Sequence, residues 1–203
     1  MSRSRTAILI VISILIIDQI FKIIIKTNMT LGETRHVFGN WFLIRFIENP
    51  GMAFGIDIPG KLGKPALTLF RVVAVVLIGI YLRSVIKKEA PVGFIVCLSL
   101  ILAGAIGNII DSMFYGLIFS ESSYFHAATL FPAEGGYGSI LHGKVVDMLY
   151  FPLIEGNYPE WLPVWGGQKF IFFRPIFNIA DSSISIGVIS IFIFQRKYLR
   201  EKR

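Results

Sequence analysis

Four long apolar runs alternate with more polar stretches along the chain. The runs cover about residues 7–25, 66–82, 91–110 and 175–194. About 20 consecutive apolar residues are enough to cross the hydrocarbon core of a bilayer as an α-helix. The pattern therefore predicts an all-α membrane bundle, with four transmembrane helices in a single domain that covers residues 1–203.

Two polar excursions, residues 26–65 and 115–174, separate these runs. The first contains Trp41–Ile47, a segment rich in the β-branched and aromatic residues that are typical of strands. It is followed by Asn49-Pro50-Gly51, which indicates a turn, and then by the apolar Met52-Ala53-Phe54. We therefore expect a small extracytoplasmic β-sheet cradle that lies at the membrane surface.

The composition agrees with a membrane protein. Hydrophobic residues make up 54% of the chain and charged residues 16%, whereas soluble domains carry about 25% charged residues. The net charge of +7 would suit a nucleic-acid partner, but the basic residues cluster at the ends of the apolar runs. Such clusters mark cytoplasmic segments, so we expect no nucleic-acid binding, two cytoplasmic termini and outer excursions. The clusters are Arg3 with Arg5, Arg83 with Lys87 and Lys88, and residues 196–203.

Charged side chains inside the apolar runs are candidates for function. Asp181 is the one charged residue in the last run, and a carboxylate within a membrane span is costly and commonly functional. In the first run, Asp18 and Lys22 are four residues apart, so they share one helix face and can pair. We interpret them as a structural ion pair that faces the interior of the bundle.

Carboxylates and carboxamides accumulate at the predicted outer face. Two aspartates held a few ångströms apart share a proton, because both cannot ionise easily. Such a pair can activate water and protonate a leaving amine, which suits amide hydrolysis. On residue chemistry alone, a proton-coupled carrier and structural roles as helix caps or hydrogen-bonding residues remain open. The residues concerned are Asn49, Asn108, Asp111, Asp147, Asn178 and Asp181.

The remaining reactive residues show no pattern of a metal or nucleophile site. His36, His126 and His142 lack metal-ligand spacing, and Cys97 stands alone in an apolar run. A single cysteine cannot build a disulfide framework or a cysteine metal site, so we interpret Cys97 as a small buried side chain. We expect neither a metal nor an organic cofactor.

Five motifs appear in a fixed order along the chain. They are Asp18 with Lys22, Asn49-Pro50-Gly51-Met52-Ala53-Phe54-Gly55, Gly104-Ala105-Ile106-Gly107-Asn108-Ile109-Ile110-Asp111, Val145-Val146-Asp147 and Phe177-Asn178-Ile179-Ala180-Asp181. In this order the set resembles bacterial lipoprotein signal peptidase (signal peptidase II), and the match extends over nearly the whole chain. Each motif is weak alone, whereas the ordered set with four apolar runs is specific.

This resemblance implies an intramembrane aspartyl endopeptidase. Its substrates would be prolipoproteins that carry diacylglycerol on a cysteine, and the cut would fall just before that cysteine. The resemblance also implies a monomer in contact with lipid in the bacterial inner membrane, with the active site at the outer face. It assigns Asp147 and Asp181 as the catalytic pair. It makes Asn49, Gly51, Asn108, Asp111 and Asn178 the residues that hold the substrate or the pair.

The chain departs from the family pattern at two points. Ser112 stands where the family usually has an arginine, so another cation must replace it, and Lys144 and Arg174 are the candidates. The outer loops, residues 117–143 and 152–174, are longer than is typical of the family. We expect them to enlarge the outer surface as a lid or a partner surface.

Overall fold

The computed structural model describes residues 2–50, 63–172, 174–196 and 198. Gly51 and the rest of its motif to Gly55, as well as most of the basic tail, lie outside the described residues. Within them, a π-helical turn, Asp111–Tyr115, continues α3 into α4. The helices are α1 (Arg3–Asn28), α2 (Gly63–Lys87), α3 (Val92–Ile110), α4 (Gly116–Ile118) and α5 (Ile179–Phe194).

Three of the predicted spanning helices are confirmed by length and composition. Among the described residues, α1, α2 and the continuous segment Val92–Ile118 are long and apolar enough to cross a membrane. In contrast, α5 has 16 residues, or about 24 Å at helical rise, against a hydrocarbon core of about 30 Å. The fourth span therefore remains a prediction. Helix α5 begins later than the apolar run because Ile176–Phe177 forms a strand and Asn178 caps the helix.

The sheet is larger than predicted, because it takes strands from both excursions. Four antiparallel strands lie in the order β1-β2-β3-β6, and β4 and β5 form a separate hairpin. The predicted strand at Trp41–Ile47 corresponds to β2, which starts one residue later and ends at Asn49. The strands are β1 (Thr34–Phe38), β2 (Phe42–Asn49), β3 (Val145–Tyr150), β4 (Ile154–Asn157), β5 (Lys169–Phe172) and β6 (Ile176–Phe177).

Helix α3 is the centre of the bundle and packs against α1, α2 and α5. Its contact with α5 is close because small residues face each other. A Cβ on Gly104 would lie 2.2 Å from the carbonyl oxygen of Ala180, and one on Gly187 would lie 2.7 Å from that of Cys97. Small residues allow such backbone approach between membrane helices. This packing brings the start of α5 against the end of α3.

Large apolar side chains cover the outward faces of the helices. Phe70 on α2 is 70% exposed and Phe192 on α5 is 64% exposed. Surfaces of this kind are unfavourable in water and suit contact with lipid. The molecule is accordingly a multi-pass membrane protein.

The two long outer loops differ in how they are attached. The first packs against the body, since the amide of Ala128 donates to the Lys26 carbonyl over 3.1 Å and Phe119 is fully buried. The second forms the β4–β5 hairpin and carries the exposed Trp161. Their predicted roles as a lid or a partner surface are not tested by this arrangement.

Candidate active site

Asp147 lies in the middle of strand β3, whose side chains are buried on both faces of the sheet. Its carboxylate is 2% exposed. One oxygen, Oδ1, accepts a hydrogen bond from Asn178 Nδ2 over 2.7 Å. The other, Oδ2, accepts one from Asn49 Nδ2 over 3.3 Å. A neighbouring strand and the N-cap of α5 therefore hold the two carboxylate oxygens.

Asp181 lies in the first turn of α5, where it completes a capping box with Asn178. Asp181 Oδ2 accepts from the backbone amide of Asn178 over 3.3 Å, and Asn178 Oδ1 accepts from the amide of Asp181 over 2.8 Å. Asp181 Oδ1 accepts from Asn108 Nδ2 over 2.7 Å. Asp181 thus lies at the N-terminus of a helix, where negative charge is favourable.

Two asparagine side chains connect the two acids. Asn178 Nδ2 donates to Asp147 Oδ1 and also lies 3.1 Å from Asn108 Oδ1. Asn108 then donates to Asp181 over 2.7 Å. The acids are thus joined by a continuous chain of amide hydrogen bonds, which fixes the orientation of both carboxylates.

A buried ionic cluster lies beneath this chain. Lys22 Nζ is 2.9 Å from Asp18, 2.8 Å from Asp111 and 3.0 Å from Asn108 Oδ1. The predicted partners Asp18 and Lys22 thus lie within ion-pair distance, and Asp111 joins them instead of facing the acids directly. All three charged side chains are fully buried.

The same cluster holds the backbone next to each acid. Asp18 Oδ1 accepts a hydrogen bond from the amide of Ala180 over 2.9 Å, directly before Asp181. Asp111 Oδ2 accepts one from the amide of Val146 over 3.2 Å, directly before Asp147. The two carboxylates that neutralise Lys22 therefore position the two candidate catalytic residues through their peptide groups.

Gln19 is a site residue that the sequence analysis missed. Its Nε2 donates to Asp111 Oδ1 over 2.9 Å and to Asp18 Oδ2 over 3.2 Å, and its Oε1 accepts from the Tyr115 hydroxyl over 3.1 Å. The signal was present, because Gln19 is an uncharged polar residue within an apolar run and beside Asp18. Tyr115 is placed to reach it by the π-helical turn, a feature that is common at functional sites.

Arg71 on α2 is a cation whose electrostatic surroundings include both acids. The negative charges of Asp181 and Asp147 act on its guanidinium. The sequence analysis did not include Arg71 among the candidate site residues. Of the two predicted substitutes for the family arginine, Lys144 is bound to Glu48 and Glu121, and Arg174 is exposed. At the departing position itself, the Ser112 hydroxyl donates back to the Asn108 carbonyl over 3.0 Å.

The electrostatic environment favours one proton on the pair. Burial, together with the negative charge of Asp181, raises the pKa of Asp147 to about 7. The hydrogen bonds from Asn49 and Asn178 oppose this rise without cancelling it. At neutral pH, Asp147 is therefore able to carry a proton.

The site geometry offers general acid–base chemistry on a polar substrate. Among the described residues, no group of three His, Cys, Asp or Glu side chains is arranged to hold a metal ion. The motif residue Gly51 lies outside the described residues.

Comparison with known proteins identifies the family. A family model described as signal peptidase (SPase) II matches residues 10–196. The chain belongs to the signal peptidase II family. It is accordingly a membrane aspartyl protease of the type that processes lipoproteins, and the alternative of a proton-coupled carrier gives way to this assignment.

Individual relatives support the same assignment over most of the chain. The lipoprotein signal peptidase of Porphyromonas gingivalis is 54% identical over 185 residues, which is 91% of this chain and 80% of that protein. The lipoprotein signal peptidase of Amoebophilus asiaticus is 35% identical, over 92% of this chain and 75% of that protein. A bacterial membrane enzyme solved by the in meso method at 2.3 Å resolution is similar with a TM-score of 0.61 and 30% identity, over 98% of this chain and 92% of that chain.

Proposed function

We propose that this signal peptidase II cleaves diacylglyceryl-modified prolipoproteins just before the lipidated cysteine, with Asp147 and Asp181 as its catalytic pair. The observation that carries the proposal is the amide chain that joins these two acids through Asn178 and Asn108. This chain connects Asp147, a buried acid with a raised pKa, to Asp181, an acid at a helix N-terminus. This is the asymmetry that a shared-proton mechanism requires.

In the proposed reaction, Asp147 begins protonated and Asp181 begins ionised. Asp181 takes a proton from water while the water oxygen bonds to the scissile carbonyl carbon, and Asp147 gives its proton to the carbonyl oxygen. In the second step the proton on Asp181 moves to the amide nitrogen as the carbon–nitrogen bond breaks. Asp147 recovers a proton from the tetrahedral intermediate, so the enzyme returns to its starting state.

The supporting residues have distinct proposed roles. Asn49 and Asn178 orient Asp147 from opposite sides, and Asn108 orients Asp181. Asp111 acts one step away, through Lys22 and the Val146 amide. Fixed donors of this kind lower the reorganisation needed at the transition state.

We further propose that Arg71 is the positioning cation that replaces the family arginine missing at Ser112. In this proposal Arg71 supplies positive charge near the two acids, whose negative charges act on its guanidinium. Loss of one such group typically costs about 100-fold or more in rate. We expect Arg71→Gln to lower kcat by about that factor, and Arg71→Lys to recover part of it.

The proposed membrane arrangement follows from charge placement. The basic clusters around Arg3 and Arg83 lie at the end of the bundle away from Asp181, as the contact of Arg3 with Ala90 requires. By the positive-inside bias, that end faces the cytoplasm. We propose a monomer in the bacterial inner membrane, with cytoplasmic termini and an outer active site that prolipoproteins reach from the bilayer.

A cleavage assay tests the catalytic assignment. Purified protein in detergent is given a prolipoprotein that already carries diacylglycerol, and loss of the signal peptide is followed by gel shift. We expect cleavage by the wild type and none by Asp147→Asn or Asp181→Asn. Glu160→Gln, which changes an exposed outer carboxylate, is the matched control and should cleave normally.

Two results would contradict the proposal. Near-normal cleavage by folded Asp181→Asn would remove that residue from the reaction and direct attention to Asp111. Cleavage of substrate that lacks the diacylglycerol group at the same rate would refute the proposed substrate class.

A further inference from the structure

A groove lies on the lipid-facing surface at the end of the bundle opposite the acids. Helices α1 and α2 both pack on α3, and the space between them forms a cavity of about 440 Å³. From α1 it is lined by Ser4, Ala7, Ile8, Val11 and Ile12, and from α2 and α3 by Gly79, Leu82, Arg83, Ile86, Lys87 and Leu102.

The groove is lined by apolar residues along most of its length, and Ser4, Arg83 and Lys87 lie at one end, its mouth. The lining residues of each helix recur at intervals of three and four, so each set forms one stripe along its helix. Because α1 and α2 run in opposite directions, Ser4 lies at the same end as Lys87, and Ile12 at the same end as Gly79. The contact between Arg3 and the turn after α2 fixes this alignment, since Arg3 Nε donates to the Ala90 carbonyl over 3.1 Å.

Gly79 opens the apolar end. A Cβ at this position would meet no atom within 4 Å. The helix therefore has a gap in its side-chain layer where its neighbours Leu82 and Ile86 carry bulk. This open space beside an apolar lining can admit an acyl chain.

The mouth carries two cations without acidic partners. Arg83 and Lys87 are one helical turn apart on α2 and both line the cavity. In the part of the chain that the structure describes, neither forms an ion pair with a carboxylate. The nearby Glu89 is engaged instead by Arg3, at 4.0 Å. The mouth is thus complementary to an anionic group.

We infer that this groove is a binding site for one anionic phospholipid. One acyl chain lies between α1 and α2 against Gly79, and the phosphate contacts Arg83 and Lys87. Basic pockets between membrane helices on the cytoplasmic side bind acidic lipid headgroups in this way. The bound lipid adds to the contact between α1 and α2 at this end, where Ala7 and Leu82 already belong to one buried cluster, and it is separate from the peptidase substrate.

Native mass spectrometry of the detergent-purified protein tests the inference. The protein is titrated with phosphatidylglycerol and, in parallel, with phosphatidylcholine of the same acyl chains. We expect one phosphatidylglycerol to bind at least fivefold more tightly than phosphatidylcholine. The double variant Arg83→Gln/Lys87→Gln should lose this preference, whereas Lys88→Gln, which changes the adjacent exposed cation outside the groove, should keep it.

A second variant separates the acyl site from the charges. Gly79→Leu fills the open end without a clash and favours the helix, so it should fold and bind less of both lipids. Leu77→Phe, on the exposed face of α2 opposite the groove, is its control. Equal binding of the two lipids by the wild type, or full binding by Gly79→Leu, would overturn the inference. A dimer that Gly79→Leu dissociates would also overturn it, because the occupant would then be a second copy of the chain.

Discussion

Two buried lysines one turn apart on α1 organise two different regions of the molecule. Lys22 is enclosed with Asp18 and Asp111 below the candidate catalytic acids. Lys26 pairs with Glu48 on β2 and also donates to Ser122 over 2.8 Å. The first cluster fixes the active site, whereas the second attaches α1 to the sheet and to the first outer loop.

The clusters differ in how their charge is compensated. Among the described residues, Lys22 is the one cation that forms ion pairs with both buried carboxylates, so its loss removes the counterion that they share. Glu48, in contrast, lies between two lysines, because Lys144 Nζ is 3.1 Å from its other oxygen. Burial acts to raise the pKa of Glu48, but the charge of Lys26, the hydrogen bonds from Lys26 and Ser122 and the charge of Lys144 together hold that pKa below its ordinary value. The first cluster has no substitute for its lysine, and the second does.

The largest effect is expected from Lys22→Met. Removing one partner of a buried ion pair costs about 3–5 kcal/mol, because the other charge is left uncompensated. Asp111 and Asp18, which accept from the Val146 and Ala180 amides, would also no longer be held in place by Lys22. Cleavage should therefore fall by more than about 100-fold. Thermal unfolding in detergent and the gel-shift assay measure the two effects. An active, stable Lys22→Met protein would show that the cluster does not support the site.

Lys26→Met should be milder and should separate stability from activity. Glu48 keeps Lys144 and Ser122 as partners, so we expect a loss of about 1.5–3 kcal/mol, the scale of one hydrogen bond to a charged group. Cleavage by the folded protein should remain within a few-fold of wild type. If Lys26→Met abolished cleavage as Lys22→Met does, the proposed division between the two clusters would be wrong.

The pH dependence of stability gives a further contrast. The pKa of Asp147 is raised to about 7 from 3.8. Between these two pH values the folded state therefore keeps a proton on Asp147 that the unfolded state has released. Stability therefore falls as pH rises from about 4 to 7, by at most about 1.4 kcal/mol per pH unit. Asp147→Asn removes this loss, so its Tm relative to wild type should be higher at pH 8 than at pH 5.

The same measurement on Glu160→Gln serves as the comparison. That variant changes an exposed carboxylate and keeps Asp147, so its Tm should fall with pH as that of the wild type does. A Tm difference between Asp147→Asn and wild type that is equal at both pH values would mean that Asp147 is not buried with a raised pKa.

The smallest effect is expected at the rim of the second cluster. Glu121 contacts Lys144 at 3.3 Å, but its side chain is 71% exposed. Exposed ion pairs contribute about 0–1 kcal/mol, so Glu121→Gln should change the free energy of unfolding by less than about 1 kcal/mol and leave cleavage unchanged. A chemical-denaturation curve that shifted as far as that of Lys26→Met would place Glu121 inside the cluster.

Local spacing explains which of these features could be predicted from the sequence. Asp18 and Lys22 are one helical turn apart, and the apolar runs locate α1 to α3, so both could be predicted. The partners of Lys26 come from β2 and from the first outer loop, and no local period relates them. The electrostatic relation of Arg71 to the acids likewise depends on how α2 packs, and no local period in the sequence predicts it.

The sheet was predictable only in part, for a related reason. Strand β2 carries a run of β-branched and aromatic residues. Strand β3 is buried on both faces, so it lacks the alternation that distinguishes a half-buried strand from other apolar segments. Asp147 could therefore be identified by its motif, but its position in mid-strand and its contact with Asn49 depend on long-range pairing.

The peptide anchors beside Asp147 and Asp181 have a consequence for selectivity. Since Asp18 and Asp111 hold the Ala180 and Val146 amides, the candidate catalytic carboxylates are positioned when the chain folds. Substrates then need not assemble them, and peptides of different sequence meet the same reactive geometry. Discrimination between substrates then depends on the surfaces that bind the peptide and its lipid. Substrate preference can change at those surfaces without a change in the reaction.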